Sequence, residues 1–316
     1  MHTPIVSIVI PVFNGQDTIE RTVSSVLSQT FSDFELIIID DGCTDKTLRI
    51  VNHFSDSRLK VYSYPNAGLS ASRNRGIRIA SGAFISFLDA DDVWTDTKLA
   101  DQLSALQEHS SASIAYSWTN YIDENDNFIQ SGSHLTFNGN IFENLLVINA
   151  VESGSNVLVK RTVLEQVGFF DETLKAAEDW DMWLRLSSQY EFVCVPKVQI
   201  LYRRTNSMSS NVARQETECV KVLERACASR PEETAFLRQK SLANLYRYLT
   251  FKALEGAPGR QKGIESARCL LQAVRYNPSL LKNVRLVLSV VLKISAVVLL
   301  PSSQSEPFLN RKRATS

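Results

Sequence analysis

The acidic residues of this chain gather where short apolar runs end. Asp89-Ala90-Asp91 follows the run ISFL at 85–88, and Asp92 comes next. Three carboxylates that close repel one another unless a cation lies among them. A hard divalent ion, Mg²⁺ or Mn²⁺, suits them: it prefers oxygen ligands and is often held by one or two carboxylates plus substrate phosphates. The pattern points to a diphosphate-containing substrate. The competing reading is one helix cap and two solvated acids. Asp40-Asp41-Gly42 ends a second apolar run, ELIIID. Carboxylates there can accept from a nucleobase N–H or a ribose hydroxyl, whereas Asp45 is placed to cap the helix KTLRIVNHF. Arg73-Asn74-Arg75 can bring a guanidinium to phosphates or a base, with a solvated helix face as the alternative for Arg75 and Arg78. Glu178-Asp179 opens a helical stretch, where acidic residues also cap and offset the helix dipole.

The elements that must carry these groups alternate. Short runs rich in Ile, Val and aromatics occur at 5–10, 35–40, 59–64, 83–89 and 113–118. Helical patterns lie between them, at 17–29, 70–80 and 96–109. Asp17 with Glu20 three residues later has the form of a capping box. Strand–helix–strand alternation at this spacing implies right-handed crossovers and a mainly parallel sheet with helices on both faces. Such sheets bind ligands beyond the carboxyl ends of their strands. The acidic and glycine-bearing loops at 11–15, 40–45, 65–69 and 89–92 all fall on that edge. Further strands are expected at 155–160 and 198–204, and a helix at 178–189. Beyond 211 the pattern is helical, at about 213–228, 232–254, 261–276 and 280–299, with Pro231 and Pro278 in first-turn positions.

The chain has 316 residues and a formal net charge of zero, but the charge is unevenly spread. Residues 1–211 hold 16 Lys+Arg and 26 Asp+Glu, and residues 212–316 hold 18 and 8. An acidic body, 1–211, is thus followed by a basic helical region, 212–316, suited to an anionic partner. The stretch 280–300 is long enough to span a bilayer, which takes about 20 apolar residues. However, Lys282, Arg285, Ser289 and Lys293 recur on one helical face, largely opposite Val284, Val287, Leu288, Val291 and Val298. That favours a helix lying in a membrane interface, aided by Arg311-Lys312-Arg313. Packing on the other C-terminal helices is the alternative. No aromatic–basic interleaving marks the tail for nucleic acid. Five cysteines without a CxxC motif, and an N-terminus without a charged flank, give the expectation of a reducing, cytoplasmic setting at the inner face of the cell membrane.

The ordered motifs PVFNG, IIIDDGCTDKT, NAGLSASRNRGI, FLDADDVW and AEDWDMWLRL resemble those of a family 2 glycosyltransferase, over about residues 4–205. The resemblance implies a GT-A (Rossmann-like) fold. It also implies inverting transfer of a sugar from a nucleotide diphosphate, a UDP-sugar first of all, to a glycan or lipid-linked hydroxyl, with a divalent metal. Pro11 and Val12 resemble the loop whose backbone lines the base pocket. Asp41, beside Asp40, looks like the carboxylate that reads the base, and Arg73 like the arginine near the nucleotide. Asp89 and Asp91 resemble the metal-and-ribose motif, Asp91 being the direct ligand. Asp179 of the Glu178-Asp179 pair falls on the catalytic base, and Asp181 is expected at solvent or as a cap. Arg203 and Arg204 match a diphosphate-contacting loop, although Thr205 stands where the family often has histidine. The rivals are a non-catalytic nucleotide-sugar-binding scaffold and a nucleotidyltransferase.

Overall fold

The computed structural model describes residues 3–204, 211–301, 304 and 305. It divides into two compact units. One comprises Met1–Leu145, Asn149–Leu174 and Glu178–Thr205; the other comprises Leu146–Ile148, Lys175–Ala177 and Asn206–Ser316.

The first unit is built on a sheet whose first strands are β1 (Val6–Val12), β2 (Phe34–Asp40), β3 (Leu59–Ser63) and β4 (Phe84–Phe87). Every residue of β1 and β2 is buried, as continuous apolar strands covered on both faces must be. The helices that return the chain are α1 (Ile19–Leu27), α2 (Thr47–Val51) and α3 (Leu69–Ile79). Strands β3, β2, β1 and β4 are parallel in that spatial order, with Val12 paired to Asp40. Helix α3 lies tight on β1: a Cβ on Gly76 would stand 2.2 Å from Cγ1 of Val9. That approach fixes the height of Arg73 above the sheet.

The remaining strands are β5 (Val93–Trp94), β6 (Ala112–Ile122), β7 (Phe128–Ser131), β8 (Leu158–Lys160) and β9 (Glu191–Arg203). Strand β8 runs antiparallel between β4 and β6, β6 and β9 are parallel, and β5 pairs antiparallel with β9 and β7 with β6. The sheet is therefore mainly parallel on its β1 side and mixed beyond β4. Helices α4 (Lys98–Glu108), α5 (Phe142–Val147), α6 (Arg161–Val167) and α7 (Glu178–Ser187) complete the sequence up to β9.

One local expectation fails. Helix α1 starts after Thr18, with no side-chain cap bond, so Asp17 and Glu20 form no capping box. Thr18 instead turns its hydroxyl to the carbonyl of Ala90 at 2.8 Å, tying the helix start to the acidic turn.

The second unit is helical: α8 (Val212–Ser229), α9 (Pro231–Thr234), α10 (Arg238–Lys252), α11 (Arg260–Tyr276) and α12 (Val284–Leu299). The expected helix over 232–254 is broken between α9 and α10. Pro278 opens a 3₁₀ turn, Pro278–Lys282, and Asn283 caps α12 by accepting from the N–H of Leu286. Helix α12 buries Val290, Ile294 and Val297 against Leu254, and Val298 is partly buried with them. Val284, Leu288 and Val291 are exposed, together with Leu292 and Leu299. The helix is apolar on more of its circumference than one packing face can cover, so it both packs and presents apolar residues. Among the described residues no helix is long and apolar enough to cross a membrane. Arg311-Lys312-Arg313 and Thr205 lie outside the described residues.

Candidate active site

The acidic edge forms because β1, β2 and β4 are parallel and end together. Pro11 and Val12 are the last residues of β1, both buried, rather than loop residues. The Val12 carbonyl accepts from the N–H of Asp41 at 2.9 Å, and the exposed loop begins at Phe13. Asp40 and Asp41 are buried too. Asp40 accepts from the N–H of Cys43 at 2.8 Å; burial works against its charge, but hydrogen bonds from Cys43, Ser63 and Gly42 outweigh it and lower its pKa. Asp41 accepts from the N–H groups of Ala67 and Gly68 at 2.9 and 2.8 Å and from Nη1 of Arg75 at 2.9 Å. It thereby fixes the 65–68 loop, and Arg75, stacked on Tyr64, is a partner of that loop rather than a solvated helix residue. Asp45 accepts from the N–H of Thr47 at 2.9 Å, but the N-cap of α2 is Lys46, without a side-chain cap bond, so Asp45 closes the turn before the helix rather than capping it.

Arg73 is the centre of the site. Its guanidinium is 1% exposed and reaches two carboxylates: Nη2 donates to Oδ1 of Asp89 at 2.6 Å and Nη1 to Oε1 of Glu178 at 2.9 Å. The ring of Phe170 lies 5.2 Å from its Cζ. Burial disfavours its charge, yet Asp89, Glu178 and Asp179 raise its pKa further. Its Nε is buried without a hydrogen-bond partner among the described residues. A residue expected near a nucleotide thus joins the β4 turn to the start of α7, bringing Asp89 and the Glu178-Asp179 pair to one place.

The pair divides its work by geometry. Glu178 is held by Arg73, whereas Oδ1 of Asp179 accepts the N–H of Trp180, at 2.7 Å. Burial and the adjacent Glu178 push the Asp179 pKa up to about 7, against the opposing pull of Arg73. Ala177, just before the pair, has φ of 58°, a left-handed conformation rare for alanine and a form of strain that clusters at functional sites. Asp181 is buried and paired with Arg185 at 2.8 Å, so it is neither at solvent nor a cap.

The acidic triplet also splits. Asp92 is wholly buried, accepting from Oγ of Ser155 at 2.6 Å and from the N–H of Arg203 at 3.0 Å. It is neither a solvated acid nor a helix cap. Asp91 stays partly exposed, and burial and then Asp89 push its pKa up to about 6. No group of three His, Cys, Asp or Glu with metal-holding geometry occurs among the described residues. Asp89 is already paired with Arg73, which leaves Asp91 as the carboxylate that fits a hard cation taking its remaining ligands from a diphosphate. Arg203 is buried, with Nε on the Asp91 carbonyl at 2.9 Å and Nη1 on the Asp123 carbonyl at 2.8 Å, while Nη2 is buried without a hydrogen-bond partner among the described residues. It braces the acidic turn from behind. Arg204 stacks on Tyr121, 4.5 Å from the ring centroid.

Ser155 was invisible to motif reading. The only signal was a run of small polar residues, Ser153-Gly154-Ser155-Asn156, directly ahead of an apolar strand.

The chain is 35% identical over 187 residues to WfgD of Escherichia coli, a UDP-Glc:alpha-D-GlcNAc-diphosphoundecaprenol beta-1,3-glucosyltransferase, covering 59% of this chain and 71% of that one. WfaP of Escherichia coli, of the same described activity, is 33% identical over 190 residues, with 58% and 71% covered. An uncharacterized glycosyltransferase of Rickettsia bellii is 32% identical over 187 residues, 58% of this chain, and this chain spans only 26% of its length. The crystal structure of S. aureus TarS 1–349 in complex with UDP-GlcNAc superposes with a TM-score of 0.57 at 17% identity, over 88% of this chain and 92% of that one, a likeness of fold. The family model described as "Glycosyltransferase like family 2" matches residues 7–253, more than half of the chain, and the chain belongs to that family.

Proposed function

We propose that the chain is a metal-dependent, inverting glycosyltransferase that moves a sugar from a UDP-sugar to a hydroxyl of a glycan or lipid-linked acceptor. The observation that carries this is the Arg73 bridge, which brings the acidic turn of β4 within one guanidinium of the acidic start of α7. A sugar nucleotide reacts by displacement when two needs are met near one anomeric carbon. Charge must be balanced on the departing diphosphate, and a proton must leave the attacking hydroxyl. Asp91, with Asp89, would hold Mg²⁺ or Mn²⁺, whose Lewis acidity supplies the first. Asp179 is the base, since Glu178 is engaged by Arg73; one base and one displacement invert the anomeric centre. Asp41 shapes the nucleotide side by fixing the 65–68 loop and Asp40 by holding the turn at Cys43, and Arg203 and Arg204 brace the diphosphate side. WfgD and WfaP are named for UDP-Glc and for a diphosphoundecaprenol acceptor. A lipid-linked acceptor of that kind accords with a peripheral association in which the exposed face of α12 meets the membrane.

The test is a panel of UDP-sugars with Mn²⁺ and lipid-linked acceptors, scored for UDP release and for a β-linked product from an α-linked donor. Pyrophosphate release would indicate a nucleotidyltransferase. Donor binding in calorimetry without turnover on any acceptor would indicate a scaffold.

A further inference from the structure

The acidic turn and the Glu178-Asp179 pair come from different elements, and one short segment touches the machinery of both. Residues 153–156 precede β8. Oγ of Ser155 donates to Oδ2 of Asp92 at 2.6 Å and accepts the N–H of Asp89 at 3.0 Å. Its carbonyl accepts Nε1 of Trp94 at 2.9 Å. Asn156 is wholly buried and grips β6, donating to the Ser117 carbonyl at 2.7 Å and accepting the Ser117 N–H at 2.8 Å. The segment is thus anchored at one end to the sheet and holds the Asp89 backbone at the other.

Gly154 faces Arg73. A Cβ built on it would stand 2.3 Å from Nη2 and 2.9 Å from Cζ of the guanidinium. The Gly154 backbone is not in the left-handed region, so nothing in its torsion calls for glycine. The need is for space. With Phe170 on the same guanidinium, Arg73 occupies a slot that admits no methyl group without moving. Nη2 is also the nitrogen that holds Asp89, so movement there changes the span between Asp89 and Glu178.

We propose that Gly154 and Ser155 are positioning residues of the transfer reaction: Gly154 by leaving room for Arg73 between Asp89 and Glu178, Ser155 by fixing the Asp89 backbone against Asp92. The proposal rests on the transferase reading above. Neither residue needs to touch substrate. Each sets where the leaving-group carboxylates stand relative to the base, and a misplacement of about 1 Å can lower the rate about 10²-fold.

The experiment uses the full chain and the variants Gly154→Ala, Ser155→Ala, Ser155→Thr, Arg73→Lys and the double Gly154→Ala/Arg73→Lys. UDP release, UDP binding by calorimetry and melting temperature are measured for each. Gly154→Ala should lower kcat about 10²-fold while KM and UDP affinity change by less than a few-fold. The double variant should be no worse than Arg73→Lys alone, because the methyl has nothing left to displace. Ser155→Ala should lower kcat, and Ser155→Thr, which keeps the hydroxyl, should recover most of it. Wild-type kcat in Gly154→Ala, additive losses in the double variant, or equal kcat in the two Ser155 variants would each overturn the positioning role. Should Gly154→Ala not fold, the Ser155 pair decides. If the wild-type chain releases no UDP from any sugar nucleotide, the transferase reading itself fails, and the positioning proposal with it.

Discussion

Arg73 and Glu178, 105 positions apart in the chain, meet through a hydrogen-bonded ion pair of 2.9 Å, and the same guanidinium holds Asp89. Deleting one member of a buried ion pair leaves an uncompensated charge and costs about 3–5 kcal/mol. Arg73→Met should therefore lower the melting temperature measurably and abolish turnover. Arg73→Lys keeps the charge but presents one point donor instead of a planar fork. It should retain most of the stability and lose most of kcat. Scanning calorimetry beside a UDP-release assay separates the two effects.

Asp179, raised to about 7, can accept a proton only when ionised. The rate should fall as the pH drops through about 7 and level off above it, so a kcat–pH profile with an acidic limb near that value is expected. Asp179→Asn should lower kcat by about 10²–10⁴-fold, spare UDP binding and remove that limb. An unchanged profile in the variant would assign the proton to another group.

Asp91→Asn should abolish metal-stimulated turnover without unfolding the chain, since Asp91 is partly exposed while the buried Asp92 keeps its partners. The measurement is a Mn²⁺ titration followed by both UDP release and thermal shift. A wild-type shift together with wild-type rate would count against the metal role.

Stability should respond to acid through Glu35, at the opposite end of the sheet. Burial works against its charge, but Lys60, Ser81 and Ser7 outweigh it and bring its pKa down to about 2 from the ordinary 4.5. Because the folded value is depressed, the stabilisation is fully present above about 4.5 and is lost as the pH falls toward 2. Glu35→Gln should lower stability near neutrality and flatten the decline between those limits, as read by urea denaturation across pH.

The exposed side of α12 yields a separate prediction. Leu288 and Leu292 are 56% and 63% exposed, and the stripe they form is bordered by Arg285. Leu288→Glu with Leu292→Glu should reduce binding to vesicles rich in anionic lipid and leave the melting temperature unchanged. A matching loss of a dimer in light scattering, with vesicle binding intact, would assign the face to a second copy of the chain instead.

Much of this was legible in residue order. The buried runs of β1 and β2, the acidic groups at their ends and the helical pattern beyond residue 211 follow from local periodicity and turn chemistry, which depend on neighbours a few positions away. The roles of Asp89, Asp91 and Asp179 are what the resemblance implies. Tertiary structure alone decided the rest. That β8 enters antiparallel between β4 and β6 is a matter of pairing, which periodicity leaves open. That Asp92 turns into the core while Asp91 does not, that Arg73 serves two carboxylates, and that Val290 rather than Val291 is buried on α12 all depend on distant segments. A side chain's type sets which partners it can accept; the crossovers of the chain determine which of them arrive within bonding distance.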